Sequence, residues 1–471
     1  MAGIGFRLQR LLRGGTYTGL LEAYAYAALL AAGPWLVTVA VIAALSLLAP
    51  AGLAAEELSS FRATVVYIYM VTLVTTGPLQ LVASRYLADR IWLQDLEAIT
   101  PSFFTALLAT LGAHAVLGGV AAFALGMQPL YAIGTMGLFA VVAGLWLAIT
   151  FLSAAKEYEA IAVAFVLGAV VSIGAAVGLG TRFGLTGYLY GFLCGQLLTL
   201  VLLVARAFIE FEAEHVFEPG VLKALGTHAD LALAGLLYYG GIWIDKFVFA
   251  WSPLGEEVRW GLRAHPGYEG AIFLAYLTVI PALALFMIRV ETGLYGVYRG
   301  FFAAILEGYP LAELRARQQQ IAERFRVSVG RVVRLQGAVT ALAILAAPRL
   351  LELLRFQPVQ VPVFQIGCVA AFLQVLLLLL VVALLYLEQR RTALGVCLVF
   401  FASNGLLSWL SLQLGLAWHG YGYAMACLLA LAIGYLALDR AVRELDRETF
   451  LRQPLVAAPL EAPRLERPAA G

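Results

Sequence analysis

Apolar runs of roughly 20 residues recur about a dozen times between Leu20 and Leu438, separated by short polar joints. A bilayer core about 30 Å thick is crossed by about 20 such residues in a helix, so each run has the length of a transmembrane span. Backbone groups facing lipid must be hydrogen-bonded within their own segment, and α-helices are the elements that satisfy this in a chain of long apolar runs. Spans are expected near residues 20–48, 64–83, 102–125, 130–154, 159–180, 184–206, 230–251, 270–290, 333–354, 362–387, 393–414 and 418–438. The predicted fold class is an all-α polytopic membrane protein with about 12 transmembrane helices.

Two stretches depart from this pattern. Residues 295–332 are broken by Gly308 and Pro310, after which Leu311, Leu314, Ile321, Phe325 and Val332 recur at helical spacing among arginines and glutamines. This predicts an amphipathic helix that lies on the inner leaflet or docks a partner, or else a solvated extension of the ninth span. Residues 453–471 are rich in Pro and Ala without an apolar period, the composition of a disordered tail.

The pattern also repeats. Gly187-Tyr188-Leu189-Tyr190 with Cys194 at the sixth span matches Gly420-Tyr421-Gly422-Tyr423 with Cys427 at the twelfth. Pro78 with Arg85 in the second span matches Pro281 with Arg289 in the eighth, and Gly33-Pro34-Trp35 is set weakly against Gly241-Ile242-Trp243. Two pseudo-symmetric six-helix lobes follow, a parallel repeat about an axis along the membrane normal, as in two-lobed alternating-access transporters. The expected organisation is an N-terminal lobe over 1–208, a linker over 209–229 and a C-terminal lobe over 230–452, carrying the 295–332 insertion and followed by the tail.

Charge then sets an orientation. With the N-terminus inside, the inner segments hold about 24 of the 31 Lys and Arg residues, so both termini are expected on the cytoplasmic side. Arg7, Arg10 and Arg13 precede a first apolar run too long for a signal peptide, which is expected to be retained as a helix. The formal net charge of +2 offers no basic surface for nucleic acid. The four cysteines lie in apolar runs without metal-ligand spacing, so they read as small core residues, and no metal or cofactor site is expected. No phosphate-binding loop, HExxH pair or serine nucleophile elbow occurs, and no catalytic residues or enzymatic activity are expected.

The candidate chemistry is therefore that of a passage. Asp245 and Lys246 sit deep in the seventh span, where charge must face a cavity or a partner. Adjacent helical residues point about 100° apart, so each is expected to find its partner elsewhere, Arg289 and Glu291 of the eighth span being candidates. A structural ion pair and a proton or sodium site at Asp245 are both open readings. Tyr67, Trp243 and Tyr276 offer aromatic faces for sugar rings, with Gln80 and Arg85 on the facing half. Tyr24 and Tyr26 read as interfacial aromatics, and Gln196, Gln374 and Asn404 either bond sugar hydroxyls or hold helices together. Pro34, Pro78 and Pro281 would bend helices around a cavity or kink them statically.

Particular residues also carry a family resemblance. Gly3-Ile4-Gly5-Phe6-Arg7-Leu8 and then YTGLLEAYAYAALLAAGPW from Tyr17 to Trp35 resemble the start of the PelG family of Pel exopolysaccharide transporters. Asp245 to Pro253 (DKFVFAWSP) and the segment from Gly261 to Glu291 resemble its other signature, and the likeness extends over essentially the whole chain. That family is more distantly similar to the multidrug/oligosaccharidyl-lipid/polysaccharide flippase superfamily. The resemblance implies an inner-membrane component moving an amino-sugar polysaccharide to the periplasm among membrane lipids. It implies as partners a cytoplasmic glycosyltransferase, a cyclic-di-GMP-binding membrane protein and a tetratricopeptide-repeat membrane protein. It gives no individual residue a role. Alternatives are a lipid-linked sugar flippase or cation-coupled small-molecule exporter, and a non-transporting scaffold of a polysaccharide synthase.

Overall fold

A computed structural model describes residues 33, 36–50, 53–155, 157–210, 215–289, 300–301, 303–305 and 307–444, with the side chains at 287–289, 322 and 325 outside that description. The helices are α1 (Leu36–Leu47), α2 (Ala55–Trp92), α3 (Ile99–Ala124), α4 (Pro129–Ala154), α5 (Tyr158–Glu210), α6 (Gly220–Thr227) and α7 (Ala229–Ala250). A hairpin of β1 (Glu256–Arg259) and β2 (Leu262–Ala264) follows. Beyond it come α8 (Pro266–Tyr276), α9 (Ile280–Arg289), α10 (Leu311–Leu353), α11 (Gln360–Tyr386), α12 (Arg390–Gln413) and α13 (Tyr421–Arg443). Among the described residues ten candidate spans are long and apolar enough to cross a membrane. One of them, α5, is two helices meeting at Gly184, whose φ of 58° and ψ of −142° suit only glycine. With the shorter α1, the arrangement accounts for about 12 crossings.

Helices α2 to α5 pack on one another, α7 to α13 pack on one another, and the main contact between these two halves is α2 against α7. The first expected span is described only from Leu36, which leaves Tyr24, Tyr26, Pro34 and Trp35 outside the described residues. The ninth span and the amphipathic segment are one continuous 43-residue helix, so the extension reading holds. Its apolar face is covered from within the chain, since Leu314 and Ile321 pack on Phe301 and Ala304, and Gln318 donates to the Val442 carbonyl at 2.6 Å. The eighth span is interrupted by a 3₁₀ turn at Leu277–Val279, just ahead of Pro281, where a missing donor loosens the helix. Buried Gln336 of α10 donates to the Thr278 carbonyl at this break, at 3.0 Å. Pro78, by contrast, lies inside an uninterrupted α2.

The repeat is visible in burial, but not in the register of the Gly-Tyr-x-Tyr motif. In that register Tyr188 is buried where Tyr421 is exposed, and Cys194 is exposed where Cys427 is buried. Shifting by two residues sets Gly191 on Gly422, Phe192 on Tyr423 and Gln196 on Cys427, and the buried and exposed positions then run nearly in step from Tyr188 to Ala207 and from His419 to Leu438. Gly191 and Gly422 also share a reason for being glycine. A Cβ on Gly191 would lie 2.2 Å from the Ala176 nitrogen, and one on Gly422 2.4 Å from the Leu407 carbonyl, each against the preceding helix. Cys194 is thus not the core residue its apolar setting suggested.

The α2–α7 crossing is comparably close. A Cβ on Gly235 would lie 2.3 Å from the Gly77 carbonyl oxygen, and one on Gly77 would lie 2.6 Å from the Tyr239 ring and 3.0 Å from the Gly235 carbonyl. Backbone meets backbone here, and neither side can yield by rotating a side chain. Gly235→Ala is therefore expected to destabilise the protein by about 1–3 kcal/mol, as overpacking does. The measurement is the melting temperature in detergent, with Gly226→Ala, where an added Cβ meets nothing within 4 Å, as the control.

Candidate functional site

Asp245 and Lys246 occupy the second half of α7, 0% and 9% exposed. The expectation that neighbours on a helix must look elsewhere for partners is corrected here. The Lys246 stem folds back, and its Nζ donates to Asp245 Oδ1 at 3.0 Å and to the Ile242 carbonyl at 2.7 Å. The second carboxylate oxygen accepts from the Tyr268 hydroxyl of α8 at 2.7 Å, and Asn404 Nδ2 of α12 donates to Oδ1 at 3.3 Å and to the Gly241 carbonyl at 2.7 Å. Ser408 donates in turn to Asn404 Oδ1 at 2.9 Å. Every member of the network has a partner, which is what a buried ion pair requires to persist.

The ammonium also lies among aromatic faces. Its Nζ is 4.6 Å from the Tyr423 ring centre, 5.1 Å from that of Tyr276 and 5.9 Å from that of Trp243. Such cation–π contacts soften the burial of a cation. The Tyr276 and Tyr423 hydroxyls bond to each other, and the Tyr268 ring stacks on Phe249 at 3.8 Å. Trp243 Nε1 is buried without a hydrogen-bond partner among the described residues. Sequence reasoning thus named four members of this cluster, Trp243, Asp245, Lys246 and Tyr276, and the structure brings them together. It missed Tyr268 and Ser408 and gave Asn404 and Tyr423 no part in the site, because their helices meet α7 only in the fold. The Arg289 side chain and Glu291 lie outside the described residues.

The other three sequence candidates lie along α2 and meet the C-terminal half elsewhere. The Tyr67 hydroxyl donates to the Arg263 carbonyl of the hairpin at 2.6 Å, and its ring meets Phe247 edge-on at 6.2 Å. Gln80 Oε1 accepts from the Tyr239 hydroxyl at 3.2 Å. Arg85 bonds Asp89 of its own helix at 3.0 Å and pairs with Glu388, at the end of α11. Glu388 also accepts from Nη2 and Nε of Arg390, at 3.0 and 3.1 Å, while Arg390 Nη1 reaches His228 Nδ1 at 2.8 Å. A polar cavity of about 360 Å³ opens there, lined by Asp230, Glu388, Gln389, Arg390 and Arg391. Partial burial, and then the guanidiniums of Arg390 and Arg85, lower the His228 pKa against the smaller opposing pull of Asp89 and Asp230. Among the described residues no group of three His, Cys, Asp or Glu is placed to hold a metal.

In fold the chain is similar to a multidrug resistance MATE family transporter of the MOP superfamily in its outward-facing conformation, with a TM-score of 0.66 and 14% identity over 89% of this chain and 96% of that one. It is similar to MATE in the bent conformation, at a TM-score of 0.67 and 13% identity over 91% and 96% of the two chains. A MOP superfamily transporter from Pyrococcus furiosus Vc1 (DSM3638) gives 0.59 and 15% identity over 89% and 95%. No curated protein matches the chain. The fold is thus that of MOP-type membrane transporters, with a buried charge cluster in its C-terminal half. Residues 1–450 match the PelG exopolysaccharide exporter (EPS-E) family, and the chain belongs to it. The family is one of transporters, not enzymes.

Two outcomes are expected from this geometry. Tyr268→Phe removes a donor from a buried carboxylate and should lower stability by about 1.5–3 kcal/mol, read from chemical or thermal unfolding in detergent. His228, with its pKa lowered from 6.5, supports its contact while neutral, so that support is complete above pH 6.5 and is lost as the pH falls through the lowered value. Melting temperatures above and below pH 6.5 should therefore differ less in His228→Gln, which keeps an acceptor for Arg390 but does not titrate.

Proposed function

We propose that this chain exports an amino-sugar exopolysaccharide from the cytoplasm to the periplasm across a bacterial inner membrane, with both termini cytoplasmic. In this reading the lobes over 1–208 and 230–452 are the moving units, joined by the 209–229 linker. The family match supports the substrate class, and the excess of Lys and Arg in the segments assigned to the inside supports the orientation. A cytoplasmic glycosyltransferase would supply the polymer, with the cyclic-di-GMP-binding and tetratricopeptide-repeat membrane proteins completing the assembly.

The observation that carries the mechanism is the position of the buried ion pair on α7, the helix that also makes the main contact with the other half. Gly235, Tyr239, Trp243 and the pair follow one another along that helix. A change in the charge or hydration of the pair would thus act on the helix that sets the relation between the halves. Trp243, Tyr276 and Tyr423 supply aromatic faces beside it, suited to the apolar faces of sugar rings.

Asp245→Asn combined with Lys246→Gln removes both charges without stranding either, so the large penalty for an unpaired buried charge does not arise. Secreted polymer should fall by about tenfold or more, equivalent to about 1.4 kcal/mol in the limiting step, at an unchanged membrane level of the protein. Normal export by the double variant would exclude any coupling or gating role for the pair. Failure to insert would mark it as purely structural.

A further inference from the structure

The halves touch at three levels along α2. The glycine crossing lies in the middle, and on either side of it the contact is made by a residue with an unusual backbone. On one side, Arg259 pairs with Leu262 across the hairpin, leaving Trp260 and Gly261 as a two-residue turn with φ of 52° and 73°. Such turns need positive φ at both positions and favour Asn, Asp or Gly at the first, where this chain has a tryptophan. The Trp260 ring packs on Tyr131 of α4 at 4.7 Å, and Leu262, 5% exposed, joins a cluster otherwise made of N-terminal-half residues such as Phe61 and Tyr188. The hairpin is braced from its own half, because the Arg263 guanidinium donates to the carbonyls of Ala250, Ser252 and Gly255 at 3.0, 3.3 and 2.6 Å.

On the other side, α11 ends on Glu388 with φ of 57°, in the helix-terminating position where glycine is preferred. The position alone carries no meaning, because Gln94 and Arg355 end α2 and α10 in the same way with exposed side chains. Glu388 differs in that its half-buried carboxylate takes Arg85 from the opposite half and Arg390 from its own. Strained residues held in place by their surroundings point toward function when their side chains perform a task that the favoured residue could not. Glycine at 388 or asparagine at 260 would suit the backbone better and would abolish the contact between the halves.

We propose that Trp260 and Glu388 are the two gating residues of transport, each closing one face of the protein. The proposal rests on the reading that the two halves move about the α2–α7 crossing. Tyr67, beside the hairpin, and Arg85, beside Glu388, are separated along α2 by about 27 Å, close to the thickness of the hydrocarbon core. With Gly77 and Gly235 pressed together between them, rocking opens one end while it presses the other shut. Release of Trp260 from Tyr131 therefore goes with retention of the Arg85–Glu388 pair, and release of Glu388 with retention of the hairpin contact.

The test uses the full chain with its four native cysteines replaced, reconstituted in nanodiscs and also expressed in cells. Spin labels at Gln128→Cys with Glu257→Cys report on the hairpin face, and labels at Gln94→Cys with Arg391→Cys report on the other. Trp260→Asn and Glu388→Gly each favour the local backbone, so they open a gate without disturbing the turn or the helix end. Glu388→Gly should lengthen the Gln94–Arg391 distance while the Gln128–Glu257 distance stays or shortens, and Trp260→Asn should do the reverse. Each should lower polymer export by about tenfold. Unchanged distances in both variants, or normal export despite changed distances, would overturn the gating assignment and leave two ordinary turn residues. If the unmodified chain exports no polymer in cells while the distances in the two variants change as described, the transport reading fails and the two latches stand.

Discussion

Two glycines set the geometry of this protein. Gly77 of α2 and Gly235 of α7 bring the backbones of the two halves into direct contact, with no side chain between them to give way. Helices in a bilayer gain nothing by hiding apolar surface from lipid, so close packing and interhelical hydrogen bonds must hold them together. The crossing supplies the first and the adjacent Tyr239–Gln80 bond the second. Such a contact, with the Tyr239 ring packed against Gly77 beside it, resists separation. The remaining contacts between the halves lie far enough from it, at Tyr67 and Trp260 on one side and Arg85 on the other, to act with leverage.

The buried charges have a different logic. Asp245 and Lys246 satisfy each other, which removes the cost of an isolated charge, but the pair remains more expensive than two apolar residues of the same size would be. Tyr268, Asn404 and Ser408 from α8 and α12 complete its hydrogen bonds, and three rings surround the ammonium. Stability alone does not call for this arrangement. Under the proposed function, a polar, aromatic-walled cluster on the helix that contacts the other half would join substrate passage to movement.

Much of the fold was legible because span length and hydropathy are imposed by the bilayer and do not depend on tertiary context. The ends of α3, α4 and α7 fall within a few residues of their expected positions, and the two limbs of α5 divide at Gly184, where the sixth expected span begins. The ion pair was legible as charge in an apolar run, but not in its pairing, because the rule that neighbours on a helix diverge neglects the reach of a lysine stem. Tyr268 was hidden, since nothing in its local sequence marks a tyrosine whose hydroxyl meets a carboxylate 23 positions away. The hairpin after α7 was also missed, because two strands of four and three residues carry no periodic signal.

The repeat also sets two polar clusters side by side, and among the described residues the buried ion pair lies in the C-terminal one. In the burial register Gln196 of the N-terminal half corresponds to Cys427 of the C-terminal half. Around Gln196 the polar groups are neutral, with Tyr69 donating to its Oε1 at 2.9 Å and its Nε2 reaching Ser172 at 3.4 Å, while Trp146 donates to Thr72 nearby at 3.2 Å. Around Cys427 lie Tyr423 and the Asp245–Lys246 pair. Similar packing frames thus hold a hydrogen-bonded amide in one half and an ion pair in the other. A neutral network is satisfied in one state and has little reason to leave it. A buried charge pair depends on its partners more strongly, because charge is costlier away from water. The ion pair, the hairpin and Glu388 all lie in the C-terminal half, so the proposed gating would place both cross-half contacts on the structural unit that carries the buried charge.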